Sequence, residues 1–162
     1  MKIYIIGPSG AGKTTLATTL AQKYNTKFYE LDKIVYDDDN NHIKRTNEEI
    51  EKIFSNMISK KSWIIEDVGR SKFIKGREAA DIIYYLKIPK RIVYKRVIMR
   101  WIKQRLGKER FNYPPTLYQF IDMIRIAKGY LKKEKSRIES LKQYEDKVVH
   151  LGVKKINDLE NR

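Results

Sequence analysis

The chain has 162 residues, with 35 basic and 20 acidic side chains, a formal net charge of +15 and no cysteine. That length suits one folded domain, and a hydrophobic content of 41% is enough for a core, which excludes a disordered basic tail. Lack of cysteine excludes disulfides, thiolate metal sites and thiol nucleophiles; short apolar runs exclude a transmembrane helix or signal-peptide core and lead us to expect a soluble, cytoplasmic protein.

Strands and helices alternate along the sequence. Ile3–Ile6 reads as a strand, and residues 13–24 follow as a helix with Leu16, Ala17, Leu20 and Ala21 on one face. Lys27–Leu31 is a second strand, and the polar run Asp37–Asn41 is a loop. A helix is expected from Thr46 to about Lys60, opened by a Thr46/Glu49 capping box, with the stripe Ile50, Ile53, Phe54, Met57 and Ile58. Trp63–Ile65 begins a third strand and Ile82–Leu86 forms a fourth. Pro89 opens a long helix that Gly107 closes. Asn112–Pro115 breaks the chain, residues 116–145 are helical with a division expected at Gly129, and Val148–Leu151 is the last strand. This order predicts an α/β fold with a parallel sheet covered on both faces.

Gly7-Pro8-Ser9-Gly10-Ala11-Gly12-Lys13-Thr14, followed by Thr15, fits the phosphate-loop pattern G-x-x-x-x-G-K-[ST]. It lies between a predicted strand and a predicted helix, as the chemistry requires. Glycines let successive N–H groups turn inward onto phosphate oxygens, and the helix N-terminus adds partial positive charge. Lys13 is expected on the β- and γ-phosphates and the Thr14 hydroxyl on Mg²⁺, so ATP and Mg²⁺ are the expected cofactors.

Ligands of parallel α/β sheets sit beyond the C-terminal strand ends. Here those ends carry Glu30-Leu31-Asp32 and Glu66-Asp67, with Arg70 just beyond. One acid can order the Mg²⁺ shell and another can take an acceptor proton. Either Glu66 or Asp67 suits the metal, and Asp32 suits the acceptor side. The alternative for each acid is a helix cap or a surface carboxylate.

The charge is concentrated late. Residues 1–88 carry a net +3 and residues 89–162 a net +12; within 89–110, nine basic residues face one acid, Glu109. Arg96, Arg100 and Lys103 share one helical face, and Arg105 lies close by. Arginines of this kind suit phosphate charge at a transfer site, although a solvated charged face explains most individual cations. His42 and His150 stand alone, without metal-ligand spacing.

Together with the phosphate loop, Glu30-Leu31-Asp32, Trp63-Ile64-Ile65-acid, Arg77 to Asp81 before an apolar strand, and Pro89 ahead of Arg96-Val97 resemble the bacterial DNA topology modulation protein-like family. That group is part of the adenylate kinase and shikimate kinase branch of P-loop proteins. The resemblance implies a three-layer fold with five parallel strands in the order 2-3-1-4-5. It implies one P-loop kinase-like domain over 1–162, with a helical, basic lid-like segment at about 100–118. It also implies ATP and Mg²⁺ at Gly7–Thr15, Asp32 facing the acceptor, and lid arginines near phosphate; Arg70 and Arg77 are further expected to bind the substrate. The chain departs from relatives at Glu66-Asp67, where Asp-Gly is usual, and at Lys87.

The favoured expectation is a small-molecule or nucleotide kinase that transfers the γ-phosphoryl group of Mg-ATP, with Lys13, Asp32, Arg96 and Arg100 as its catalytic residues. The alternative is a nucleic-acid-binding P-loop ATPase whose basic C-terminal half contacts DNA or RNA. The absence of an N-K-x-D motif speaks against a GTPase switch.

Overall fold

Alternation along the first strand sets the architecture. In β1 (Lys2–Ile6), Ile3 and Ile5 enter one hydrophobic core and Tyr4 and Ile6 enter another. A strand buried on both faces needs a layer on each side, and helices supply both. The computed structural model describes residues 1–37, 43–108 and 116–160.

After β1 come α1 (Lys13–Lys23), β2 (Phe28–Glu30) and a short α2 (Leu31–Val35). A small hairpin, β3 (Tyr36–Asp37) with β4 (Ile43–Lys44), leads to α3 (Asn47–Ile58) and β5 (Trp63–Asp67). A 3-10 turn, Ser71–Phe73, runs into α4 (Ile74–Ala79), β6 (Ile82–Leu86) and α5 (Lys90–Arg105). Then α6 (Leu117–Lys132), α7 (Glu134–Leu141), β7 (Val148–Leu151) and α8 (Val153–Glu160) complete the described chain.

The sheet runs β2-β5-β1-β6-β7 and every pairing in it is parallel. Counted along the five long-sheet strands, this is the expected order 2-3-1-4-5. Glu30 lies beside Glu66, and Ile6 lies between Asp67 and Tyr85. The C-terminal strand ends therefore form one edge, and that edge carries the acids. Trp63, Ile65 and Tyr85 pack with Ile50, Phe54 and Met57 of α3 on one face. Ile64 and Leu86 pack with Leu16 and Leu20 of α1, Val93 and Val97 of α5, and Ile156 of α8 on the other.

The Thr46/Glu49 capping box is present, with Thr46 N–H donating to Glu49 Oε2 at 2.8 Å and Glu49 N–H donating to Thr46 Oγ1 at 3.3 Å. The stripe of α3 is narrower than expected, because Ile53 is 37% exposed. The division expected at Gly129 falls instead at Lys133, between α6 and α7. Gly129 sits inside α6 because Ala127 and Leu131 are buried on either side, which outweighs its weak helix propensity. The short helices α2, α4 and α8 were not expected from periodicity; two have six residues or fewer, too short to show a repeat. Residues 38–41 of the Asp37–Asn41 loop, His42, Glu109, Arg110, the Asn112–Pro115 break and the middle of the 100–118 segment lie outside the described residues. No helix among the described residues is long and apolar enough to cross a membrane.

Candidate active site

The phosphate loop turns over the edge of β1. Gly7 N–H donates to Asp67 O at 3.3 Å, and Ala11 N–H donates to Pro8 O at 3.1 Å. Gly10 and Gly12 hold φ of 74° and 95°, the left-handed region where a side chain is strained. Gly7 needs its bareness for another reason: a Cβ there would lie 2.9 Å from Leu86 Cβ. Gly12 caps α1, so the first turn of that helix opens into the loop. Lys13 Nζ crosses the loop to Pro8 O at 3.1 Å. Burial lowers the Lys13 pKa against the pull of Glu66, Asp32 and Asp67.

Strand periodicity separates the two acids of β5. Ile64 belongs to the α1 face of the sheet and Ile65 to the α3 face. Glu66 and Asp67 continue this alternation. Glu66 accepts the Thr14 hydroxyl, 3.1 Å from Oε1 and 3.0 Å from Oε2. Its pKa is raised, chiefly by burial, with Lys13 and the Thr14 bond opposing. Asp67 turns to the other face, and its side chain is 0% exposed. Its Oδ2 accepts Gly69 N–H at 2.8 Å, Arg70 N–H at 2.6 Å and the Tyr4 hydroxyl at 3.3 Å, while Oδ1 accepts Arg70 Nη1 at 2.8 Å. Asp67 thereby closes the turn after β5. Burial and the Asp67 charge push the Tyr4 pKa well up.

Arg70 reaches from Asp67 to Asp32 through its Nη2, so one guanidinium joins the ends of β5 and α2. Burial works against this cation, but Asp32 and Asp67 more than offset it, and its pKa is raised. Arg96 of α5 donates through Nη1 to Gly10 O at 3.1 Å and Ala11 O at 3.0 Å. Helix α5 is thus tied directly to the phosphate loop. At the far end of α5, Trp101 Nε1 donates to Thr116 O at 3.1 Å and its ring packs on Phe120, 4.9 Å between centroids. The Arg105 guanidinium lies 5.6 Å from the Trp101 ring centre.

Two cavities of about 680 Å³ each flank this edge. The first is walled by Gly10–Thr15 of the loop, Asp32 and Glu66, and on the α5 side by Arg96, Arg100 and Lys103. The second lies beyond Gly69 and Arg70, with Arg77 on one side and Tyr130, Lys133 and Arg137 on the other. Ser9 and Val68 line both, so the cavities meet there.

The first cavity thus gathers Lys13, Thr14, Asp32, Glu66, Arg96 and Arg100, all singled out from sequence. Arg70 and Arg77 line the second. Arg77 is 4% exposed, and its Nη2 donates to Arg70 O at 3.0 Å. Asp67 lines neither cavity, because its carboxylate is enclosed in the turn it stabilises; Arg105 lines neither and stacks by Trp101 instead. Sequence reasoning missed Arg137 and Lys133 in the second cavity, and Ile156 and Asn157 of α8 in the first. No local motif marks them; only the packing of helices distant in sequence brings them here.

Residues 3–68 match the ATPase family associated with various cellular activities (AAA). A shikimate kinase of Blochmanniella floridana is 34% identical over 103 residues, covering 53% of this chain and 54% of that protein. A shikimate kinase of Marinomonas sp. (strain MWYL1) is 46% identical over 35 residues, covering 22% and 19%. The chain therefore spans about half the length, or less, of these curated relatives. Among solved structures, a gluconokinase from Sinorhizobium meliloti 1021 superposes with a TM-score of 0.57 at 18% identity, covering 99% of this chain and 87% of that one. A shikimate kinase from Bacteroides thetaiotaomicron gives 0.57 at 15% identity, covering 100% and 95%. The chain has the α/β P-loop kinase fold found in those shikimate kinase and gluconokinase structures.

Proposed function

We propose that this protein is a small-molecule kinase that moves the γ-phosphoryl group of Mg-ATP to an acceptor. The observation that carries this reading is the pair of cavities meeting at Ser9 and Val68, one walled by the phosphate loop and the other by a separate set of side chains. An ATPase needs one such space; a transferase needs two that share a wall. The likeness to shikimate kinases and a gluconokinase supports the same class.

In this reading the loop N–H groups from Ser9 to Thr14 and the Lys13 ammonium hold the triphosphate. The residues fit Mg²⁺ at Thr14 and Glu66, a hydroxyl and a carboxylate already in contact, because that ion takes few protein ligands and completes its shell with water and phosphate oxygens. When bound, the ion neutralises charge on the β- and γ-oxygens. Asp32 receives the proton of an acceptor hydroxyl after Arg70 swings from it, and that oxygen bonds to the γ-phosphorus as the bridge to ADP breaks. Arg100 and Lys103 face the same cavity and offset charge on the departing ADP. Arg96 holds the loop in shape. We take residues 1–162 as one P-loop kinase-like domain with a lid-like segment at about 100–118, supported by the tie from Trp101 to Thr116 and Phe120. Membership of the DNA topology modulation protein-like group is a proposal that rests on the sequence motifs alone.

The test is acceptor-dependent ADP formation by the purified protein over a panel of polyols, hydroxy acids, nucleosides and phosphate esters. One acceptor should stimulate turnover, and Lys13→Ala should abolish it. A panel with no stimulation, or full turnover in Lys13→Ala, overturns the reading. The relatives do not favour nucleic acid as the partner of the +12 in residues 89–162. Tight binding to DNA or RNA with a steep salt dependence would restore that alternative.

A further inference from the structure

The second cavity has more cationic character than its neighbourhood explains. Arg70 is answered by Asp32 and Asp67. Arg77, Lys133 and Arg137 have no carboxylate within ion-pair distance among the described residues, and no acid lines the cavity. Arg77 is buried with its Nε lacking any hydrogen-bond partner. The Tyr130 hydroxyl, beside that of Tyr85, completes no hydrogen bond of good geometry either. These two are the unsatisfied buried side-chain polar atoms of the described residues, and both belong to residues lining this cavity.

The cations are also held in place. The Arg137 guanidinium carbon lies over the Tyr130 ring, 3.7 Å from its centre, and its Nη1 donates to Tyr130 O at 3.2 Å. Its Cδ occupies the space a Cβ on Gly69 would need, 2.9 Å away. Arg77 is fixed by its bond to Arg70 O. Fixed guanidinium groups lose little freedom on gripping an anion and can do so with two parallel hydrogen bonds.

We propose that the second cavity seats a phosphate monoester carried by the acceptor molecule, gripped by Arg77, Lys133 and Arg137. A dianion answers three unpaired cations better than a carboxylate does, because one negative charge would leave two of them close together without a counter-charge. The seated phosphate takes no part in the transfer; a hydroxyl elsewhere on the same molecule reaches the junction at Ser9 and Val68. The word acceptor rests on the kinase reading above, whereas the anion seat does not.

Calorimetric titration of the whole protein, saturated with Mg-ADP, separates the two. The probes are glycerol phosphate and ribose 5-phosphate, with gluconate and shikimate as carboxylate counterparts. The phosphate esters should bind and the carboxylates bind at least about tenfold more weakly. Arg137→Gln and Lys133→Gln should each weaken ester binding by about tenfold while ADP affinity holds within about twofold. Arg77→Lys gives a check at the buried position, with circular dichroism to establish folding. Carboxylates binding as tightly as esters, or ester binding indifferent to both glutamine variants, overturns the proposal. Esters that bind through Arg137 but never stimulate ADP formation support the seat and overturn the kinase reading. Turnover on an uncharged or carboxylate acceptor, unchanged in Arg137→Gln, overturns the seat and leaves the kinase reading standing.

Discussion

Glu66 and Asp67 are adjacent in one strand, yet they face opposite sides of the sheet: Glu66 meets Thr14, and Asp67 closes the turn to Arg70. Two acids with the same charge are thereby given different work. Glu66→Gln should strongly lower turnover at saturating Mg-ATP without lowering the melting temperature. Asp67→Asn should do the reverse first: it weakens bonds to two backbone N–H groups, Tyr4 and Arg70, and should lower stability by about 1–3 kcal/mol. Parallel thermal melts and ADP assays check the division; equal losses of stability in both variants would refute it.

The raised pKa of Glu66 has a consequence for pH. A carboxyl whose folded pKa lies above its unfolded value binds more protons when folded. Stability is then greatest below the ordinary value of 4.5 and falls as pH rises through the raised one. Above that range the ionised, buried carboxylate opposes folding. Denaturant melts from acid to neutral pH, without nucleotide or metal, should show stability changing less favourably with rising pH in the original protein than in Glu66→Gln. An identical slope in the variant would count against this assignment.

Arg96 braces the loop from outside. Arg96→Met keeps much of the aliphatic packing beside Gly10 but removes both bonds to loop carbonyls. ATP affinity should fall by about tenfold or more through loss of the preformed loop. Acceptor affinity, measured with ADP saturating, should change far less. Nucleotide titration calorimetry on the two proteins decides it.

Gly69 is needed twice over. Its φ of 85° disfavours a side chain, and a Cβ would press on Arg137 Cδ at 2.9 Å and on Ile6 Cγ2 at 3.2 Å. Gly69→Ala should lower stability by about 1 kcal/mol or more and displace Arg137. Ester binding in the second cavity should weaken with it. A melting temperature unchanged in Gly69→Ala would be contrary to this expectation.

The phosphate loop was legible because its chemistry is local: eight consecutive residues fix the turn, the cation and the hydroxyl. The strand order was legible through resemblance, and the acids at Asp32 and Glu66-Asp67 through their place at strand ends. The sequence left the choice between Glu66 and Asp67 open; the pleat of β5 turns Glu66 to Thr14 and Asp67 to Arg70, a separation visible only once β5 is known to run through Asp67. Arg137 was not legible. It lies 68 positions after Gly69, on a helix that begins at Glu134 rather than at the division expected at Gly129, and nothing near it hints at its neighbour. Arg96 was legible as a cation on the correct face, but its bonds to loop carbonyls depend on how closely α5 approaches Gly10, which only packing decides.

The chain has two tryptophans, and they occupy opposite circumstances. Trp63 is sealed in the core, whereas Trp101 is half-exposed near the end of α5, packed at a tilt against Phe120 and bonded to Thr116. Emission from Trp63 should therefore report global unfolding alone. Light from Trp101 should respond whenever the α5–α6 corner shifts as nucleotide or acceptor arrives. The molecule carries its own optical gauge: in Trp63→Phe, a stopped-flow fluorimeter could time any movement of that corner directly, without any attached dye.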